Sequence, residues 1–122
     1  MPRLVLLRHE LPTDASRESH WDLMLEQAET LRTWELLFDP RERSVVQSSV
    51  LPPHRKYYLD YEGPVSQNRG RVSRLDAGSF RWIEQSGEHL VVDFDGQTLR
   101  GRARWAATDS CWRFEGCFDA RL

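Results

Sequence analysis

Apolar and polar residues alternate in runs of about five to nine positions, and turn-forming residues end each run before a helix can complete its third turn. A chain punctuated this way folds as short strands. Strands are expected at about 3–9, 20–26, 32–37, 44–49, 56–62, 70–75, 79–84, 89–94, 98–106 and 111–118. The interruptions are Leu11–Ser19, Asp39–Arg43, Leu51–Pro53, Pro64–Arg69, Asp76–Gly78, Gln85–Gly87 and Asp95–Gln97. Asp76-Ala77-Gly78, Ser86-Gly87 and Asp95-Gly96 suit hairpin turns. Ala28–Leu37 alone competes as a helix, and Thr33 with Trp34 weighs against it. With 122 residues, the expectation is one all-β domain over 1–122: a small closed or nearly closed antiparallel β-barrel with at most one short helix. Trp82, Trp105, Trp112, Phe114 and Phe118 are the aromatics expected to fill it.

Composition narrows the function classes. A 39% hydrophobic content excludes a disordered chain. No apolar run approaches the ~20 residues of a membrane span, and Leu4–Leu7 is too short for a signal-peptide core. A cytoplasmic monomer without a membrane partner is expected. Cys111 and Cys117 cannot build a disulfide framework and read as packing residues in a reducing compartment. The net charge of −2 excludes blanket phosphate neutralisation, so any nucleic-acid contact must be local. Sixteen of the 17 basic residues are Arg. That suits bidentate phosphate recognition, although genome composition is the simpler source. Arg100, Arg102 and Arg104 share a strand face that suits either a backbone contact or a solvated exterior.

Two segments carry chemistry. In His20-Trp21-Asp22-Leu23-Met24-Leu25-Glu26, alternation puts Trp21, Leu23 and Leu25 on the core face and His20, Asp22, Met24 and Glu26 on the other. An imidazole and a carboxylate two residues apart on a rigid strand suit Mn²⁺ or Zn²⁺, and His9, at the end of the first strand, is a candidate third ligand. Alone, a His-x-Asp pair is equally the polar face of an amphipathic strand. In His54-Arg55-Lys56-Tyr57-Tyr58, His54 and Tyr58 are expected to share a face of an extended segment, with Arg55 and Lys56 nearby to hold a phosphate. Each of these residues also has an ordinary structural reading. His89 shows no partner and reads as a surface residue of a late hairpin.

Taken in order, these residues resemble the 3′-phosphoesterase domain found at the N-terminus of bacterial and archaeal DNA ligase D and as stand-alone proteins. The matching motifs are His9, then Asp14-Ala15-Ser16-Arg17, then His20-Trp21-Asp22-Leu23-Met24-Leu25-Glu26. Leu31-Arg32-Thr33-Trp34, His54 to Gly63, Gly70-Arg71-Val72 and Asp76-Ala77-Gly78-Ser79-Phe80 follow. The resemblance runs from about Arg3 to about Trp105 and implies a Mn²⁺-dependent β-barrel that trims 3′-terminal ribonucleotides and 3′-phosphates from DNA ends. It implies His9, His20 and Asp22 as metal ligands and His54 and Tyr58 at the scissile phosphate. Arg17, Arg55, Lys56, Arg69 and Arg71 are expected to contact phosphate or nucleic acid, and a DNA ligase or polymerase is the expected protein partner. The chain departs from the family pattern in three places. Leu11–Ser19 is an enlarged loop, which makes Asp14 the substitute ligand if His9 is not one. Met24 stands where the family often has an Arg, and Glu35-Leu36-Leu37-Phe38 replaces a Pro-Lys-Gly segment. Two other functions fit the same residues: a catalytically weakened module that binds DNA ends or a ligase, and a phosphoesterase of small nucleotides.

Overall fold

The computed structural model describes residues 1–108 and 111–118. It contains β1 (Arg3–Glu10), β2 (His20–Glu26), β3 (Thr30–Leu36), β4 (Val45–Arg55), β5 (Gly63–Pro64), β6 (Arg71–Gln85), β7 (His89–Gly96), β8 (Arg100–Ala107) and β9 (Trp112–Phe118). All pairings are antiparallel, in the order β1-β2-β3-β4-β9-β8-β7-β6, and β1 also pairs with β6. Eight strands therefore form a nearly barrel-like ring, with β5 added outside it on β6. The barrel class expected from the spacing holds. Among the described residues, no helix is long and apolar enough to cross a membrane.

The closure depends on β6, which the sequence reading divides into two strands around a turn at Asp76-Ala77-Gly78. That turn does not form. β6 runs unbroken for 15 residues, with β1 along one edge and β5 then β7 along the other. A bulge opposite Leu6 and Leu7 bends it. Gly78 serves close packing here: a Cβ would lie 2.2 Å from the Asp95 carbonyl oxygen of β7. Asp76 turns inward, where its carboxylate accepts the backbone N–H groups of Ala77, Gln97, Thr98 and Leu99 at 2.7–3.2 Å. A turn-forming residue type here holds a different turn, the one joining β7 to β8.

Three further expectations are corrected. Residues 56–62 are not a strand: Lys56–Leu59 form a 3₁₀ turn, and β4 instead continues through Pro52 and Pro53 to Arg55. Cys111 is half-buried and Cys117 exposed, so Cys117 is not a packing residue. His89 does have a partner, the Glu84 carboxylate.

The interior is filled from the inward faces. Trp34 and Trp105 stack at 4.6 Å, with Phe80, Phe94 and Phe114 around them. Trp82, Trp112 and Phe118 pack against this core from partly buried positions. A second, smaller cluster lies on the outside of the barrel wall, where Val5, Leu7, Met24, Leu31, Leu59 and Val72 are covered by Tyr58, Tyr61 and Val65. Both faces of β1 are thus buried, which accounts for its unbroken Leu4–Leu7 run. On the same outward face of β2 as Met24, His20 and Asp22 are also buried rather than solvated.

Candidate metal centre

The β1–β2 register sets the site: His9 stands opposite His20, Leu7 opposite Asp22, and Val5 opposite Met24. His9, His20 and Asp22 project from the same outer face, and one ligand atom from each lies within 4.8 Å of the others. The His9 and His20 rings are 4.9 Å apart. Asp22 is 2% exposed and His20 1%, a degree of burial that an exposed polar strand face would not show. Asp14 is not part of this group.

The hydrogen bonds decide which nitrogen of each ring carries a proton. His20 Nδ1 lies 3.0 Å from the Glu18 carbonyl and 3.5 Å from a Glu35 oxygen. Both are acceptors, so Nδ1 must donate. His9 Nε2 donates in the same way to the Arg69 carbonyl at 2.7 Å. With the outer nitrogens protonated, neutral rings would turn lone pairs on Asp22. His9 Nδ1 lies 3.3 Å from Oδ2, in line for a hydrogen bond when it too carries a proton, and His20 Nε2 lies 3.1 Å from Oδ1. The second contact is off the line of a hydrogen bond, and the buried Oδ1 accepts none. Lone pairs facing carboxylate oxygens at these distances require a positive charge between them, either a proton or a metal ion. Metal-bound histidines commonly give their outer N–H to a carbonyl in this way. The two-nitrogen, one-carboxylate donor set suits Zn²⁺ or Mn²⁺.

Local structure explains the two carbonyls. Gln67 and Asn68 have positive φ (61° and 54°), a tight turn between β5 and β6 that brings the Arg69 carbonyl over His9. Ser19 Oγ accepts the Leu11 N–H at 2.9 Å, closing the base of the 11–19 loop beside Glu18 and His20.

The metal-type group opens into a cleft of about 610 Å³ that His54, Tyr58, Arg17, Arg55, Arg69 and Met24 also line. His54 donates Nδ1–H to the Pro52 carbonyl at 2.9 Å, which leaves Nε2 free, and its ring meets Tyr58 edge-on at 5.7 Å. These two are neighbours because the 3₁₀ turn wraps the chain back, not because they alternate along a strand. Arg17 reaches the cleft but is held by Glu35 at 2.6 Å. Arg69 is anchored on Ser66 at 2.9 Å through both Nε and a terminal nitrogen. Lys56 pairs with Glu26 at 3.2 Å and does not line the cleft; neither does Arg71, an exposed residue of β6. Met24 is buried in the outer apolar cluster, so the strand supplies no cation at that position.

Glu35 is the residue the sequence reading passed over. Glu26 pairs with Leu31 across the short turn between β2 and β3, and counting back along both strands puts Glu35 beside Asp22. That register was a readable signal. The backbone carbonyls of Glu18 and Arg69 leave none in the sequence.

No protein-family model matches the chain, and no curated protein matches it. The site is therefore read from its own geometry.

Electrostatics fix the pH response. Burial would raise the Asp22 pKa from 3.8, but the close contacts and charges of His20 and His9 outweigh it and hold the carboxyl at about 2. Burial opposes charging His20, yet its contacts with Asp22, Glu18 and Glu35 raise its pKa above 6.5. In chelator, the Asp22 contribution, on the order of 2 kcal/mol, is present above about pH 3.8 and lost as pH falls towards 2. The His20 contribution is full below about 6.5 and is lost as pH rises through its folded value. Metal-free stability should therefore plateau at about pH 4–6.5 and decline above it. A divalent metal needs the imidazoles deprotonated, so the stabilisation added by Zn²⁺ should grow over that same rise. Thermal melts from pH 5 to 8, with EDTA and with Zn²⁺, check both signs. A metal increment that shrinks as pH rises would contradict the assignment.

Proposed function

We propose that the chain is a metal-dependent phosphoesterase that trims 3′-terminal ribonucleotides and 3′-phosphates from DNA ends, with Mn²⁺ or Zn²⁺ held by His9, His20 and Asp22. One observation carries the reading: two imidazoles are tied through their outer N–H groups while their inner nitrogens face one buried carboxylate, in the same cleft as His54 and Tyr58. The preference for DNA ends rests on the order of motifs shared with the ligase D domain. A trimmed end carries the 3′-hydroxyl that a DNA ligase or polymerase requires, which makes such an enzyme the fitting partner.

A bound divalent ion supplies charge that neutralises a phosphate oxygen. The chain's own residues do the rest. His54, with Nδ1 given to Pro52, is left with Nε2 to hold a hydrogen bond to the phosphate or pass a proton to the leaving oxygen. Tyr58, beside it, orients the phosphate through its hydroxyl. Arg55 and Arg69 offer guanidinium groups to the remaining oxygens. Glu35 fixes Arg17 and backs the His20 N–H, so it acts as a positioning residue.

The test is turnover of a primer-template ending in a 3′-phosphate or a 3′-ribonucleotide, with and without Mn²⁺. Release of phosphate or nucleoside should require the ion, and His54→Ala should lower kcat by about 10²–10⁴-fold with metal affinity unchanged. Turnover that persists in chelator would contradict the reading.

Buried Met24 favours a second reading, in which the barrel binds DNA ends or a partner ligase without cleaving them. Metal-dependent gel shifts without product would select it. Stronger competition by a mononucleotide than by the duplex would point to a small-nucleotide phosphoesterase instead.

A further inference from the structure

A second cavity of about 420 Å³ adjoins the cleft and shares Arg55, Tyr58 and Val65 with it. Its walls are aromatic. Tyr57 and Tyr61 stack at 4.6 Å with 25° between their planes, and Tyr58 meets both edge-on, at 5.1 Å and 6.1 Å. Tyr61 is fixed from below, since its hydroxyl donates to the Pro64 carbonyl and a Cβ on Gly63 would lie 2.9 Å from that hydroxyl. Gly63 also has φ of +138°, a backbone that favours glycine. Tyr57, by contrast, is 52% exposed although it is a large aromatic, and the Arg55 guanidinium lies 5.6 Å from its ring centre.

We propose that the tyrosine-lined cavity is a nucleobase subsite, in which the heterocycle of the nucleotide whose phosphate enters the cleft stacks on Tyr57. The inference builds on the phosphoesterase reading and names what that site recognises beyond phosphate. Arg55 lines both cavities, so one guanidinium stands where a sugar-phosphate must pass from ring pocket to metal group. Tyr61 stiffens the platform, so little side-chain freedom is lost when a base lands. A π-face accepts any base, so the subsite selects for a base over none and not for one sequence. This subsite gives a chain of net charge −2 a source of nucleic-acid affinity that does not depend on a basic surface.

The experiment compares short single-stranded oligonucleotides ending in a normal or an abasic 3′-residue, with binding read by fluorescence anisotropy in Mn²⁺ and in EDTA. The normal end should bind about tenfold more tightly. Tyr57→Ala and Tyr57→Leu should bring the ratio towards one, and Tyr57→Phe should keep it. A wild-type ratio of one, no measurable binding, or a ratio that survives Tyr57→Ala overturns the subsite. Metal dependence is read separately: a preserved base preference with identical binding in Mn²⁺ and EDTA counts against the metal-site reading and leaves the subsite standing. A 3′-mononucleotide run in parallel separates a free nucleotide from a strand end as the source of the base. Tyr57→Ala should weaken whichever binds better, and binding of both unchanged by Tyr57→Ala overturns the subsite.

Discussion

Asp22→Asn is expected to lower the affinity for Mn²⁺ or Zn²⁺ by about 100-fold or more and to abolish any metal-dependent turnover. The amide keeps the shape of the side chain, so the barrel has no reason to change. Among the described residues, it removes the one carboxylate that faces both inward ring nitrogens. One amide oxygen can still face an imidazole, but it cannot neutralise a divalent ion together with two neutral rings. Outer partners of metal ligands alone contribute about 10–100-fold, and a direct ligand should exceed them. Isothermal titration at pH 7.5 measures the effect. An affinity within threefold of wild type would show that Asp22 is not a ligand.

Asp76→Ala should have the largest effect on stability, about 3 kcal/mol or more. Four backbone N–H groups converge on this one carboxylate, and that of Leu99 is fully buried. Each donor left without an acceptor costs about 1–3 kcal/mol, and water can reach only the outer ones. The β7–β8 turn would lose its anchor just where β6 bends to close the ring. Asp76→Asn keeps one acceptor oxygen and should cost less. Urea unfolding in EDTA resolves the two variants. Because Asp76 does not line the cleft, the folded fraction of either should bind metal normally. A loss below 1 kcal/mol for Asp76→Ala would show that the turn holds without it.

Asp76 also marks where local reading misleads. Asp-Ala-Gly has the composition of a turn, and only tertiary pairing reveals that the Asp caps a distant turn and the Gly admits a neighbouring backbone. The barrel itself was legible, because alternation and turn spacing both point to short antiparallel strands. His9, His20 and Asp22 were legible for a similar reason, since strand period two puts His20 and Asp22 on one face. Their burial was not, because it depends on what packs over the outer face of β2, which alternation along one strand does not encode. Glu35 was within reach through the β2–β3 register. The carbonyls that fix the two imidazoles depend on loop conformation, to which side-chain identity is nearly blind.

The most direct measurement is the position of a bound ion. Crystals grown with Zn²⁺ and examined at the zinc absorption edge should show one anomalous peak about 2.0–2.2 Å from His9 Nδ1, His20 Nε2 and an Asp22 oxygen. A peak bound by other residues, or none at saturating Zn²⁺, would contradict the metal centre on which the proposed chemistry depends.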